Sequence, residues 1–109
     1  MDKIILTGTP ASPGVAEGLV KIISGSQDTN NFNKGDILVT KITDPSMIMI
    51  MSMAAAIVCD IGGVTSHPSI ASREMGIPCV VNTKAATSVL TTGMRVKVNG
   101  NNGEIYGLD

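Results

Sequence analysis

Two short apolar runs, with one helix pattern between them, constrain this chain more than anything else in it. Ala55-Ala56-Ile57-Val58-Cys59 and Ile77-Pro78-Cys79-Val80-Val81 contain no charged side chain. A strand with one wet face alternates apolar and polar residues, so an unbroken run implies a strand covered on both faces. Residues 68–75 place a proline near the start, an apolar stripe of Ile70, Ala71 and Met75, and Gly76 as the stop, which specifies a helix. A buried strand, a helix and a second buried strand in succession require an α/β domain, with layers of sheet and helix around one core. The whole chain, 1–109, is long enough for one such domain.

The flanking segments fit that scheme. Residues 3–7 and 16–23 read as strands, separated by Gly8-Thr9-Pro10-Ala11-Ser12-Pro13-Gly14, which is rich in turn formers. Residues 24–35, with Asn30, Asn31 and Asn33, read as a surface loop, and 36–41 as a third strand. Asp44-Pro45 supplies an N-cap and a proline at the first helical position. In the helix that follows, Met47, Met49, Met51 and Met53 alternate with Ile48, Ile50 and Ser52, a period of two that would suit a strand. The Asp-Pro start and the good helix formers favour a helix. Its methionines can fill a core. A helix apolar on every side cannot bury all of itself against one small sheet, so part of the 47–53 stretch is expected to face another chain or domain, as a homo-oligomer contact or a docking surface. Residues 84–90 read as a short helix. Residues 94–98 and 104–106 flank Asn99-Gly100-Asn101-Asn102-Gly103 as a closing hairpin.

Composition removes several classes of function. Hydrophobic residues make up 43%, charged residues 16%, and the net charge is −1. That is no basic nucleic-acid surface, and with Phe32 and Tyr106 as the aromatics there is little for bases to stack on. No apolar run approaches the roughly 18 residues of a membrane span. Met1-Asp2-Lys3-Ile4 does not read as a signal peptide, and two cysteines, Cys59 and Cys79, do not make a disulfide scaffold. The expected setting is the reducing cytoplasm.

The chemistry concentrates on the single histidine, His67, in Ile61-Gly62-Gly63-Val64-Thr65-Ser66-His67-Pro68. One imidazole cannot be half of a His-His metal site, and no Cys-x-x-Cys pairing supports a metal. A phosphoryl carrier needs a neutral imidazole near pH 7, placed on a loop, with donors for the added negative charge. Thr65 and Ser66 offer hydroxyls, and the start of the next helix offers amides. Gly62 and Gly63 permit a tight turn and close approach. Arg73, six residues on, could reach an incoming phosphate. Each has a plainer reading: a solvated loop histidine, an ordinary Gly-Gly turn, helix caps, a solvated arginine beside Glu74. Asp60 either orients a group or begins the turn. Adjacent Ser66 and His67 do not suit a catalytic triad.

The stretch Gly62-Gly63-Val64-Thr65-Ser66-His67-Pro68-Ser69-Ile70-Ala71-Ser72-Arg73-Glu74-Met75-Gly76-Ile77-Pro78 resembles the phosphohistidine signature of the phosphoenolpyruvate-utilising enzymes. Ala11-Ser12-Pro13-Gly14-Val15-Ala16-Glu17-Gly18 looks like that family's opening segment. Gly35-Asp36-Ile37-Leu38-Val39-Thr40 and Thr43-Asp44-Pro45 look like its middle, and Gly100-Asn101-Asn102-Gly103-Glu104-Ile105-Tyr106 like its closing hairpin. Pro68, Ser69 and Ser72 stand where smaller residues are common. The resemblance implies a swivelling β/β/α domain whose His67 takes a phosphoryl group at one site and delivers it at another. Thr65, Ser66, Arg73, Gly62 and Gly63 would support the phosphorylated state. It also implies partner domains, one binding ATP and one binding phosphoenolpyruvate or pyruvate, in another chain or a longer parent. Those domains would hold Mg2+, and this chain would hold no cofactor. Such a chain is expected to be part of a phosphotransferase without a complete activity alone. A freestanding relay protein and a non-catalytic domain that mediates assembly are the alternatives.

Overall fold

The apolar runs lie side by side in a computed structural model that describes residues 3–24 and 32–108. Strand β5 (Ala56–Cys59) pairs in parallel with β6 (Cys79–Val81) on one side and with β4 (Ile37–Thr40) on the other. Side chains alternate between the faces of these three strands. Leu38, Ile57, Cys59, Cys79 and Val81 enter a core shared with Met47, Met51 and Ala71. Ile37, Val39, Ala56, Val58 and Val80 enter a second core with Val20, Val96, Val98 and Ile105. Both faces are dry, which is why neither run tolerates a charged residue. Each fully buried aliphatic side chain of this kind contributes about 1.5–3 kcal/mol.

The first core lies beneath two helices. Asp44 caps a 3-10 turn (Pro45–Met47) by accepting from the Ser46 amide at 2.8 Å, and the turn runs into α1 (Ile48–Met53). Met47 and Met51, four apart, are fully buried, whereas Ile48 and Met49 are 43% and 75% exposed. The helical spacing therefore prevails over the period of two, and one side of the helix is left uncovered. The helix expected over 68–75 begins one residue earlier, as α2 (His67–Met75), and ends on Gly76 in the left-handed conformation. It packs on β6, β5 and residues 9–12.

The second core is closed by another β layer. Strand β3 (Val15–Ile22) belongs to both layers, since residues 15–19 pair antiparallel with β7 (Arg95–Asn99) and residues 20–22 pair in parallel with β4. Strands β7 and β8 (Glu104–Gly107) form the expected hairpin, and β1 (Lys3–Thr7) pairs with β8. The segment expected to be a turn at residues 8–14 instead contains a strand, β2 (Thr9–Ser12), which pairs with β6. Its prolines and serine obscured it; an edge strand with a register shift between Pro10 and Ser12 tolerates them. The strand order is β1-β8-β7-β3-β4-β5-β6-β2, and its two ends are joined through Gly8. A Cβ at Gly8 would sit 2.5 Å from the Val81 carbonyl oxygen, so only glycine passes there. The result is the β/β/α layering that the resemblance implied.

Two further expectations need revision. Residues 25–31 of the expected surface loop lie outside the described residues, but Phe32 at its far end is buried in the helix-side core. The helix expected over 84–90 is one turn, α3 (Ala86–Val89), with Ala86 and Leu90 plugging the second core. Among the described residues, no helix is long and apolar enough to cross a membrane.

Cys59 and Cys79 are buried free thiols. Burial raises the pKa of both, that of Cys79 to about 11 against a smaller opposing influence from Ser72 and Arg73. The thiolate is the reactive form. Both cysteines should therefore resist an aromatic disulfide reagent at pH 8 in native buffer and react fully in denaturant, as followed by absorbance.

Candidate functional site

Strands β4 and β5 are parallel neighbours with Thr40 opposite Cys59, so the segments leaving their carboxyl ends emerge at the same edge. This is the edge at which open α/β sheets place ligands. The segment after β4 carries Thr43, which is 3% exposed, and the one after β5 leads to His67. The Thr43 hydroxyl lies 2.8 Å from Nδ1 of His67. His67 is half-buried and occupies the first helical position of α2, not the loop before it. Holding Nδ1 turns the opposite nitrogen, Nε2, away from Thr43. If the hydroxyl donates, the ring proton sits on Nε2. If Nδ1–H donates, Nε2 keeps its lone pair. Hydroxyl rotation and ring-proton exchange interconvert the two forms without moving a heavy atom.

The loop before His67 is braced from within. The Gly63 carbonyl accepts from the Ser66 amide at 3.0 Å, the Ser66 hydroxyl at 2.7 Å and the Ser69 hydroxyl at 2.6 Å. Ser66 stands at the N-cap of α2, but its hydroxyl turns back to Gly63 and makes no capping bond. Pro68 has no amide, and the other amides of the first turn of α2 have neither an intrahelical partner nor a capping side chain, which leaves them open for an anion. Gly62 has φ +122, and a Cβ there would lie 2.8 Å from Ser66 Oγ; at Gly63 a Cβ would meet open space. Gly62 is therefore required by the turn, whereas Gly63 contributes its carbonyl. Thr65 is exposed.

Arg73 is drawn into this bracing. Its Nη1 donates to the Ala11 carbonyl at 2.7 Å and its Nη2 to the Val64 carbonyl at 2.6 Å, tying the loop to β2. In this arrangement the exposed side chain holds backbone in place through both of its terminal nitrogens. Asp60 orients a different element: Oδ1 accepts from the Thr87 amide at 2.9 Å and Oδ2 from the Thr87 hydroxyl at 2.5 Å. It thereby caps α3, whose own N-cap, Ala85, has no capping side chain. Asp44 lies near His67, and its carboxyl is held below the usual carboxylate range, first by the Ser46 hydroxyl, then by the Ser46 amide, and slightly by His67. Among the described residues, no group of three or more His, Cys, Asp or Glu gathers where it could hold a metal ion.

Sequence reasoning missed Thr43 and Ser69 as parts of the site. Thr43 lies 24 positions from His67, and its signal was its place just before the Asp44-Pro45 helix start.

The structure is thus a layered β/β/α domain that presents one tethered histidine at a helix start. The chain belongs to the mobile-domain family of PEP-utilising enzymes, whose family model matches residues 32–103. A probable phosphoenolpyruvate synthase of Archaeoglobus fulgidus is 52% identical over 104 residues, covering 95% of this chain and 14% of that protein. The phosphoenolpyruvate synthase of Pyrococcus furiosus is also 52% identical, with 95% and 13% covered. The chain thus spans about one seventh of the length of these curated relatives. An NMR structure of Enzyme I superposes with a TM-score of 0.61 at 28% identity, covering 72% of this chain and 32% of that one. Aconitase X from Thermococcus kodakaraensis superposes with a TM-score of 0.72 at 22% identity, covering 95% and 98%, a likeness of fold alone.

The bracing has a measurable consequence. Arg73→Ala should speed amide exchange across residues 61–66 and lower stability by about 1 kcal/mol, with protection in β4, β5 and β6 preserved. Hydrogen-exchange mass spectrometry and thermal denaturation would check this.

Proposed function

We propose that this chain is a phosphoryl carrier domain in which Nε2 of His67 is the carrying atom. The observation that supports it most is the 2.8 Å contact between the buried Thr43 hydroxyl and Nδ1, which commits one ring nitrogen and leaves the other outward. In the reacting form, Nδ1–H donates to Thr43, and the lone pair of Nε2 attacks the phosphorus of the donor. The N–P bond forms as the bond from phosphorus to the leaving oxygen breaks, and that oxygen departs with the electron pair. The ring gains a positive charge, which Nδ1–H shares with Thr43. The open amides at the start of α2, with the exposed Thr65 hydroxyl alongside, would hold the phosphoryl oxygens, and Ser66, whose hydroxyl donates to Gly63, would brace the loop. Arg73 would act by keeping the loop in shape, and Gly62 by permitting its turn.

Among the described residues no cluster of His, Cys, Asp or Glu suits a metal ion, and any Mg2+ with the charge neutralisation it gives would come with the donor and acceptor domains. Those would be an ATP-binding domain and a phosphoenolpyruvate- or pyruvate-binding domain, as the phosphoenolpyruvate synthase relatives suggest. The setting would be the cytoplasm, and the kinase-type chemistry would belong to the assembled protein. The great length of the relatives favours a carrier within a larger assembly over a freestanding relay or a non-catalytic scaffold.

The test supplies donor domains from a relative with radiolabelled ATP or phosphoenolpyruvate. The expected outcome is an acid-labile label on the folded chain that is lost in His67→Ala. A folded chain that takes no label from either donor would overturn the proposal.

A further inference from the structure

Branched apolar side chains stand exposed on the segments that carry His67 and its partner Thr43. Among the described residues, ten large hydrophobic side chains are exposed, and four of them stand on the segments that frame this one histidine. Ile42 (38% exposed) directly precedes Thr43. Ile61 (44%) and Val64 (52%) stand on the braced loop. Ile70 (45%) lies one turn along α2 from His67. All four are branched aliphatics. The loop that carries Ile61 and Val64 is fixed at both ends of its turn: the Ile61 amide donates to the Lys41 carbonyl at 3.1 Å, and the Val64 carbonyl accepts from Arg73. Ile70 is fixed too, its amide donating to the Ser66 carbonyl at 3.1 Å. The backbone that carries these side chains is held in place, and the side chains stand partly exposed outside the two cores.

We infer that Ile42, Ile61, Val64 and Ile70 are a collar that docks against the apolar rim of the phosphoryl-donor site and seals the transfer from water. This rests on the carrier reading of His67. What covers the collar follows from its position: whatever donates a phosphoryl group to His67 must approach past the segments that carry these four side chains. The relatives supply the room for such a partner, since about six sevenths of their length lies outside the segment this chain matches. The physical need is clear. A phosphoryl group in transit can be lost to water, and expelling water also strengthens the open helix amides as anion ligands by lowering the local dielectric. A charged rim would dock, but it would bring its hydration with it.

The test compares two donors. Phosphoramidate is small and needs no docking. The second donor is the Archaeoglobus fulgidus relative with its matching segment deleted, supplied with labelled ATP. Three forms of the chain are used: the unaltered chain, the collar variant Val64→Ser/Ile70→Ser, and a control, Val15→Ser/Leu19→Ser. The control residues are 51% and 45% exposed but stand on β3, in the other β layer. In the collar variant, transfer from the protein donor should fall at least about tenfold, the order expected when a buried aliphatic contact is lost. Labelling by phosphoramidate should be unchanged, and the control should match the unaltered chain with both donors. Undiminished transfer in the collar variant, or an equal loss in the control, would overturn the collar. Failure of phosphoramidate to label His67 in any form would instead sink the carrier reading beneath it.

Discussion

Because β4 and β5 run parallel and in register, with Thr40 opposite Cys59, the segments leaving them start from one edge and bring Thr43 within 2.8 Å of His67. Everything at the site depends on that pairing. The pairing depends in turn on strands that are dry on both faces, each contributing alternate side chains to two separate cores. A charged residue in either run would cost a core and misplace the site together. The layers thus act as a mount. The helix layer fixes α2 from one side, and the second β layer, continuous with the first through β3 and Gly8, fixes the sheet from the other.

The mount is stiff where chemistry would need it stiff. The Gly63 carbonyl gathers three donors, Arg73 ties Val64 to Ala11, and Asp60 reaches across to cap α3. By contrast, among the described residues the first amides of α2 have no intrahelical partner, and Ile42, Ile61, Val64 and Ile70 stand exposed.

Much of this was legible in the sequence, for reasons that can be named. Ala56–Cys59 and Cys79–Val81 were readable because burial on both faces removes polar residues altogether. Asp44-Pro45 marked its helix because the cap chemistry is local. β2 was not legible: its turn-forming residues are acceptable at a sheet edge, and its pairing with β6 spans some 70 residues. Nor was the bracing by Arg73, whose guanidinium donates to two backbone carbonyls outside its own helix. Thr43 escaped notice for the same reason as β2. Its partner is brought to it by sheet pairing, and no local pattern encodes that.

The central claim is that Thr43 commits Nδ1 of His67 and leaves Nε2 to carry the phosphoryl group. Nitrogen-15 NMR of the chain labelled in its single histidine, taken after phosphorylation, tests this most directly. The account predicts one phosphorus-coupled nitrogen, Nε2, with Nδ1 still hydrogen-bonded. Phosphorus on Nδ1, or a ring whose Nδ1 is free before and after the reaction, would contradict it.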